Sequence, residues 1–90
     1  MNFVWDSAKA RSNLIKHGIG FEEAATVFLD DLSATGADPD HSVGEARWLT
    51  FGVSSQGNFL VVSHTDEGDN IRIIGARPGT KPEKKLYEEG

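Results

Sequence analysis

The chain contains no cysteine, which excludes disulfides and thiolate metal sites together. No stretch approaches the roughly 20 apolar residues that span a bilayer. The opening run Met1-Asn2-Phe3-Val4-Trp5-Asp6 lacks a basic region followed by an apolar one, so no secretory signal is expected there and the cytoplasm is the default compartment. There is no internal repeat, low-complexity tract or linker. No serine–histidine–acid order, nucleotide-binding loop or zinc spacing is present. Positive charge is also scarce: the net charge is −5, which argues against broad electrostatic attraction to nucleic acid but leaves room for a small basic pocket.

What is present is unevenly spread. Residues 6–17 carry Lys9, Arg11, Lys16 and His17 against one acid, Asp6, whereas residues 22–45 carry Glu22, Glu23, Asp30, Asp31, Asp38, Asp40 and Glu45 with no Lys or Arg. The second stretch is an acidic patch suited to a basic partner. Ninety residues make one domain, residues 1–90. A chain this short is marginally stable alone, so a partner chain or a homodimer would help it. Its 38% hydrophobic and 26% charged residues are ordinary for a globular protein.

Phe3-Val4-Trp5 is a short apolar segment suited to an edge strand. Asp6 is a good N-cap for a helix over residues 7–17, with Ala8, Ser12 and Ile15 on one stripe and Leu14 beside it. Gly18 ends that helix. Phe21, Ala24, Ala25, Phe28 and Leu29 recur at helical spacing, predicting a second helix over Phe21–Leu29. From residue 32 the period changes to two. Leu32–Ala37 is a weak strand candidate. In Arg47–Ser54 the residues Arg47, Leu49, Phe51 and Val53 alternate with Trp48, Thr50 and Gly52. The turn Ser55-Gln56-Gly57 leads into a returning strand, Asn58–Thr65, with Leu60, Val62 and His64 on one face. A turn over Asp66–Asn70 precedes a strand over Ile71–Arg77, which Pro78-Gly79 breaks. Thr80 caps a terminal helix with Pro82 in its first turn. The expected fold is α+β: two N-terminal helices packed on one face of an antiparallel meander of three or four strands, then a C-terminal helix.

Arg72 lies inside the apolar run Ile71-Arg72-Ile73-Ile74. Its guanidinium cannot neutralise itself, so it requires a carboxylate, a phosphate or water. If the two turns close hairpins, Arg47, His64 and Arg72 gather at one end of three neighbouring strands, and direct pairing puts Arg72 and Ile74 on the face of His64. Glu45 stands beside them. Such a set suits RNA cleavage by 2′-hydroxyl attack, which needs a base, an acid and cations for the charge on the phosphorane. The competing reading is an ion pair of Glu45 with Arg47 or Arg72, with His64 satisfying a strand end. A one-residue slip would separate these side chains. Lys16 and His17 complement a helix dipole. Arg77 either faces the terminal helix and its glutamates or joins Lys16 and His17 in a second basic spot. Asp38, Asp40 and His41 are cation ligands by type, but their spacing fits no calcium loop, and neither a metal nor a cofactor is expected.

The ordered set Trp5-Asp6, Lys9, Asn13, Lys16-His17-Gly18, Phe21-Glu22-Glu23-Ala24, Val27-Phe28 and Asp30 resembles the opening of the BrnT toxin family. Asp40-His41-Ser42, Glu45, Arg47, Gly52, His64-Thr65, Ile71-Arg72-Ile73-Ile74, Ala76-Arg77, Glu83 and Tyr87 continue the resemblance over nearly the whole chain. It implies a RelE-like fold and a ribonuclease toxin of a type II toxin–antitoxin pair. Such a toxin would work without metal, inhibit translation, and be neutralised by a BrnA-like ribbon-helix-helix antitoxin through which alone the complex meets DNA. The family's basic and histidine positions fall on Lys16, His17, Arg47, His64, Arg72 and Arg77. His64 or Glu45 is expected to transfer protons and Arg47, Arg72 and Arg77 to hold phosphate. Lys16, His17 and Lys84 are expected as substrate contacts. The chain departs from the family in having Gly75 where Ser is usual, Pro78 where a basic residue is usual, and a tail poorer in arginine.

Overall fold

The computed structural model describes residues 1–40 and 44–90; His41 of the considered cation site and Ser42 of the resemblance lie outside them. The elements are β1 (Asn2–Val4), α1 (Ser7–His17), α2 (Phe21–Thr26), a 3-10 turn (Val27–Leu29), β2 (Ala34–Ala37), β3 (Trp48–Val53), β4 (Phe59–Glu67), β5 (Asn70–Pro78) and α3 (Lys81–Glu89). The sheet has five strands in the order β1-β5-β4-β3-β2.

This corrects the expected three- or four-stranded antiparallel meander. Strands β2 to β5 are antiparallel neighbours, but β1 adds to β5 in parallel, with Asn2 opposite Asn70 and Val4 opposite Arg72. A parallel partner sits far away in sequence, and a three-residue strand carries no local signal of it. The second helix is also shorter than its periodicity predicts. Thr26 turns its hydroxyl back onto the Glu23 carbonyl at 2.6 Å and accepts from the Ser55 N–H at 2.9 Å. The Val27 N–H reaches both Ala24 and Ala25 carbonyls, tightening the last turn into 3-10 geometry.

The caps and turns fall where the sequence puts them. The Asp6 carboxylate accepts from the Lys9 N–H at 2.9 Å, and Gly18 closes α1 in the left-handed conformation at φ 71°. Thr80 and Glu83 form a complete capping box on α3. Val53 pairs with Phe59 across the Ser55–Gly57 turn. The β4–β5 hairpin is longer than expected and turns tightly at Gly68, φ 62°.

The core lies between α1, α2 and one face of the sheet. Phe21, Ala24, Val27, Leu60 and Val62 are wholly buried there, with Ile73 and Ala76 beside them and Phe3, Trp5 and Phe28 packed around. Gly52 permits the close approach of the 3-10 turn: a Cβ at that position would stand 2.9 Å from Val27 Cγ1 and 3.1 Å from Asp30 Oδ2. α3 is not on this face. It meets the opposite face, where Tyr87 packs on Phe59 with ring centroids 5.1 Å apart and its hydroxyl donates to Asp30.

α1 also differs from its predicted stripe. Ile15 is 81% exposed, and the inward line is Ala10, Asn13, His17. The cause is a polar contact. Beyond Arg72, no strand among the described residues lies on the outer side of β5, and the buried Asn13 side chain takes that place. Its amide nitrogen donates to the Ala76 carbonyl at 2.9 Å and to the Ile19 carbonyl at 3.0 Å, and its oxygen accepts from the Ala76 N–H at 3.1 Å. The side-chain amide thus completes the ladder of β5 and aims the C-terminal end of α1 at the sheet's other face.

Candidate functional site

That end of α1 helps form an open groove of about 430 Å³ on the sheet face away from the core. Leu49, Val61, Ser63 and Gly75 line it, and so do Lys16, His17, Arg47 and Arg77. Asp38 and Asp40 line it from the segment after β2. A second hollow of about 350 Å³ shares Asn13, Lys16 and His17 with it and extends along α1 past Ser12 to Lys9.

The four basic residues arrive by three routes. Lys16 and His17 come with the last turn of α1, placed by Asn13. Arg47 precedes β3, with its carbonyl accepting from the buried Asp38 N–H at 2.9 Å; the Asp38 carboxylate accepts from the Asp40 N–H at 3.1 Å. Arg77 reaches the groove because of an irregularity in β5. His64 pairs with Ile73 and Ser63 with Gly75, so Ile74 is an extra residue between two pairs. The bulge resets the alternation of β5 and lets Arg72 and Arg77, of opposite parity, fall on the same face.

Arg77 makes two parallel hydrogen bonds of 2.9 Å to Glu83. This pairing holds the Glu83 carboxyl down to about 2, with the Thr80 cap helping, and raises the guanidinium. Both alternatives for Arg77 are therefore realised: it faces a glutamate of α3 and lines the groove beside Lys16 and His17.

The predicted gathering of Arg47, His64 and Arg72 does not form. Pairing is not direct, because the bulge sets His64 opposite Ile73 and Arg72 opposite Thr65. His64 is 4% exposed on the core face. Its Nε2 lies 2.7 Å from the Thr50 hydroxyl, which in turn lies 2.7 Å from that of Thr35. Its ring meets Phe28 edge-on, and its Nδ1 has no hydrogen-bond partner among the described residues. Burial lowers its pKa, opposed by Asp66, and the sheet cuts the imidazole off from the groove. Arg72 is exposed, 3.3 Å from Glu67, outside the groove. Glu45 and Lys84 are also exposed and outside it. Of the eight predicted site residues the groove brings together Lys16, His17, Arg47 and Arg77.

Sequence reasoning gave no site role to Asn13 and Ser63 and considered Asp38 and Asp40 only as cation ligands. Asn13 had a usable signal, a polar residue three positions from both Ala10 and Lys16 on an otherwise amphipathic helix. Among the described residues no group of three or more His, Cys, Asp or Glu side chains is placed to hold a metal ion. No helix among them is long and apolar enough to cross a membrane.

The fold is similar to the one described as the 1.1 Angstrom-resolution crystal structure of the Brucella abortus ribonuclease toxin, BrnT, with a TM-score of 0.66 and 19% identity, covering 90% of this chain and 99% of that chain. No curated protein matches the chain in sequence. The family described as the ribonuclease toxin, BrnT, of type II toxin–antitoxin system matches residues 5–83, from Trp5 into the first turn of α3. The chain therefore belongs to the BrnT family of ribonuclease toxins.

Proposed function

We propose that the groove binds RNA and that the chain cleaves it without metal by attack of a 2′-hydroxyl on the adjacent phosphorus. The observation that carries this reading is the convergence of Lys16, His17, Arg47 and Arg77 on one open sheet face. In the reaction the 2′-oxygen bonds to phosphorus and the bond to the 5′-oxygen breaks, leaving a 2′,3′-cyclic phosphate and a 5′-hydroxyl. One proton leaves the 2′-oxygen and one reaches the 5′-oxygen. His17 replaces His64 as the proton-transferring imidazole, since histidine is the side-chain type suited to both directions near neutral pH. Asp40 in the groove and Glu45, two residues before Arg47, offer the second proton-transfer group. Lys16, Arg47 and Arg77 balance the charge gathering on the phosphorane. Arg72 and Lys84 act as outlying phosphate contacts.

A type II family implies a protein antitoxin. We infer that it is BrnA-like, with a ribbon-helix-helix part that carries all DNA contact, and that free toxin lowers translation in the cytoplasm by cutting transcripts. The test is cleavage of a defined RNA by the purified chain in excess chelator, with product ends identified. Loss of cleavage in chelator would refute metal independence. Full cleavage by His17→Ala would refute the assignment of His17, whose removal as a general acid or base should cost roughly 10²–10⁴-fold.

One observation favours a second reading. Glu83 engages both terminal nitrogens of Arg77, as in a purely structural ion pair, which suits a catalytically weak module acting within a transcription-regulating toxin–antitoxin complex. A chain that binds its antitoxin yet neither cuts RNA nor arrests growth would be that module.

A further inference from the structure

β2 is the last strand of the sheet, and all four of its residues are exposed. Among the described residues nothing pairs with its outer side. The Asp38 N–H points inward, to the Arg47 carbonyl at 2.9 Å, so by alternation the backbone groups of Thr35 and Ala37 point outward. No charge, proline or bulge blunts this edge, which are the usual means by which a free strand avoids recruiting another. Beside it lies an apolar hollow of about 320 Å³ formed by Ala34, Phe51, Leu86 and Tyr87, with Glu83 at its margin. Leu86 is 71% exposed and Leu32, two residues before the strand, 70%. Acids stand at both ends, Asp31 and Asp40, both exposed, in the stretch 22–45 that holds no Lys or Arg.

We propose that this edge is where the protein antitoxin docks, adding an extended segment to β2 as a sixth strand. The assignment rests on membership of a type II toxin–antitoxin family. Backbone groups of Thr35 and Ala37 supply the pairing. An apolar side chain of the incoming strand covers Phe51 and Leu86, and basic residues flanking it face Asp31 and Asp40. Charge selects this occupant over a second copy of the chain. Antiparallel pairing of two β2 strands would bring Asp31 of each copy toward the Asp38–Asp40 end of the other, setting acid against acid. The edge also lies at the far side of β3 from β5, so an antitoxin seated here can hold the toxin while contacts elsewhere cover the groove.

The experiment measures affinity for the product of the open reading frame that adjoins this chain's gene, co-expressed with the chain and recovered by unfolding the purified complex. Ala37→Pro removes an outward N–H and keeps the inner ladder. Leu86→Lys and Asp31→Lys alter exposed side chains only. Each is expected to weaken binding about ten- to a hundredfold, the loss of one buried hydrogen-bonding or apolar contact, with unchanged melting temperature. If Ala37→Pro fails to fold, the two surface variants still decide. Unchanged affinity in them overturns the docking site while leaving the pairing intact. A wild-type homodimer that Ala37→Pro splits overturns it in favour of a second copy. Failure of the wild-type chain to bind overturns the pairing itself.

Discussion

Three buried or half-buried side chains set measurable pH behaviour. His64 has a pKa lowered from 6.5 by burial. The unfolded chain therefore takes up the proton first, and stability falls as pH drops below 6.5. His64→Gln retains a group able to bond Thr50 and does not titrate. The wild-type protein should lose melting temperature as pH falls below 6.5, and the variant should lose much less; equal slopes would remove His64 as the cause. The sign is the same but the window lower for Glu83, whose carboxyl is held at about 2 against an ordinary 4.5. Its stabilising share is present above 4.5 and is lost as pH falls toward 2, which separates it from His64. Tyr87 gives the most direct readout. Its hydrogen bond to Asp30 raises the phenol to about 12 from 10, and it is the only tyrosine in the chain. The near-ultraviolet absorbance of the phenolate should titrate near 12 and return toward 10 in Asp30→Asn.

At the scale of elements, three devices hold the parts in place. Asn13 ties α1 to β5, so Asn13→Ala strands the buried Ala76 N–H and two carbonyls. Each such group costs about 1–3 kcal/mol, and because α1 carries Lys16 and His17, RNA cleavage should fall along with stability in chemical denaturation. Gly52 lets the 3-10 turn seat on β3. Gly52→Ala should destabilise by about 1–3 kcal/mol, the usual cost of overpacking, since Val27 and the Asp30 carboxylate both stand in the way. Asp30 joins the 3-10 turn, the end of β3 and α3, accepting from the Val53 N–H at 2.8 Å, the Leu32 N–H at 3.0 Å and the Tyr87 hydroxyl; these contacts, Tyr87 first, lower its pKa. No residue of α3 is buried, so this anchor, the Phe59 contact and the Arg77–Glu83 pair keep the helix on the sheet. The Asp6 and Thr80 caps and the Gly18 stop were legible in sequence because their causes lie within four residues. The end of α2 was not, because Thr26 is drawn to Ser55.

For the whole molecule, the two sheet faces divide the labour. One is filled by α1 and α2 and is a core; the other, between the end of α1 and α3, stays open and sets Lys16, His17, Arg47 and Arg77 beside Asp38 and Asp40. Expressed alone, the chain should arrest growth, and Lys16→Ala with Arg47→Ala should relieve it, whereas Arg72→Ala should weaken RNA binding by no more than one phosphate contact, read as a slightly shallower salt dependence. Relief by Arg72→Ala alone would restore that arginine to the centre of the site.

The sequence by itself determined the α+β class, the order of elements, the hairpin turns and the helix caps, because each rests on local backbone chemistry or on a period of two or 3.6. Tertiary structure alone decided which residues meet. The bulge at Ile74 put Arg72 and Arg77 on one face, the parallel addition of β1 covered only the first part of β5, and Asn13 occupied the remainder and turned His17 into the groove. The alternation of β4 sent His64 to the side that the helices bury. A strand offers its residues to two faces equally, and only packing against distant segments selects which face becomes core and which stays open to a ligand.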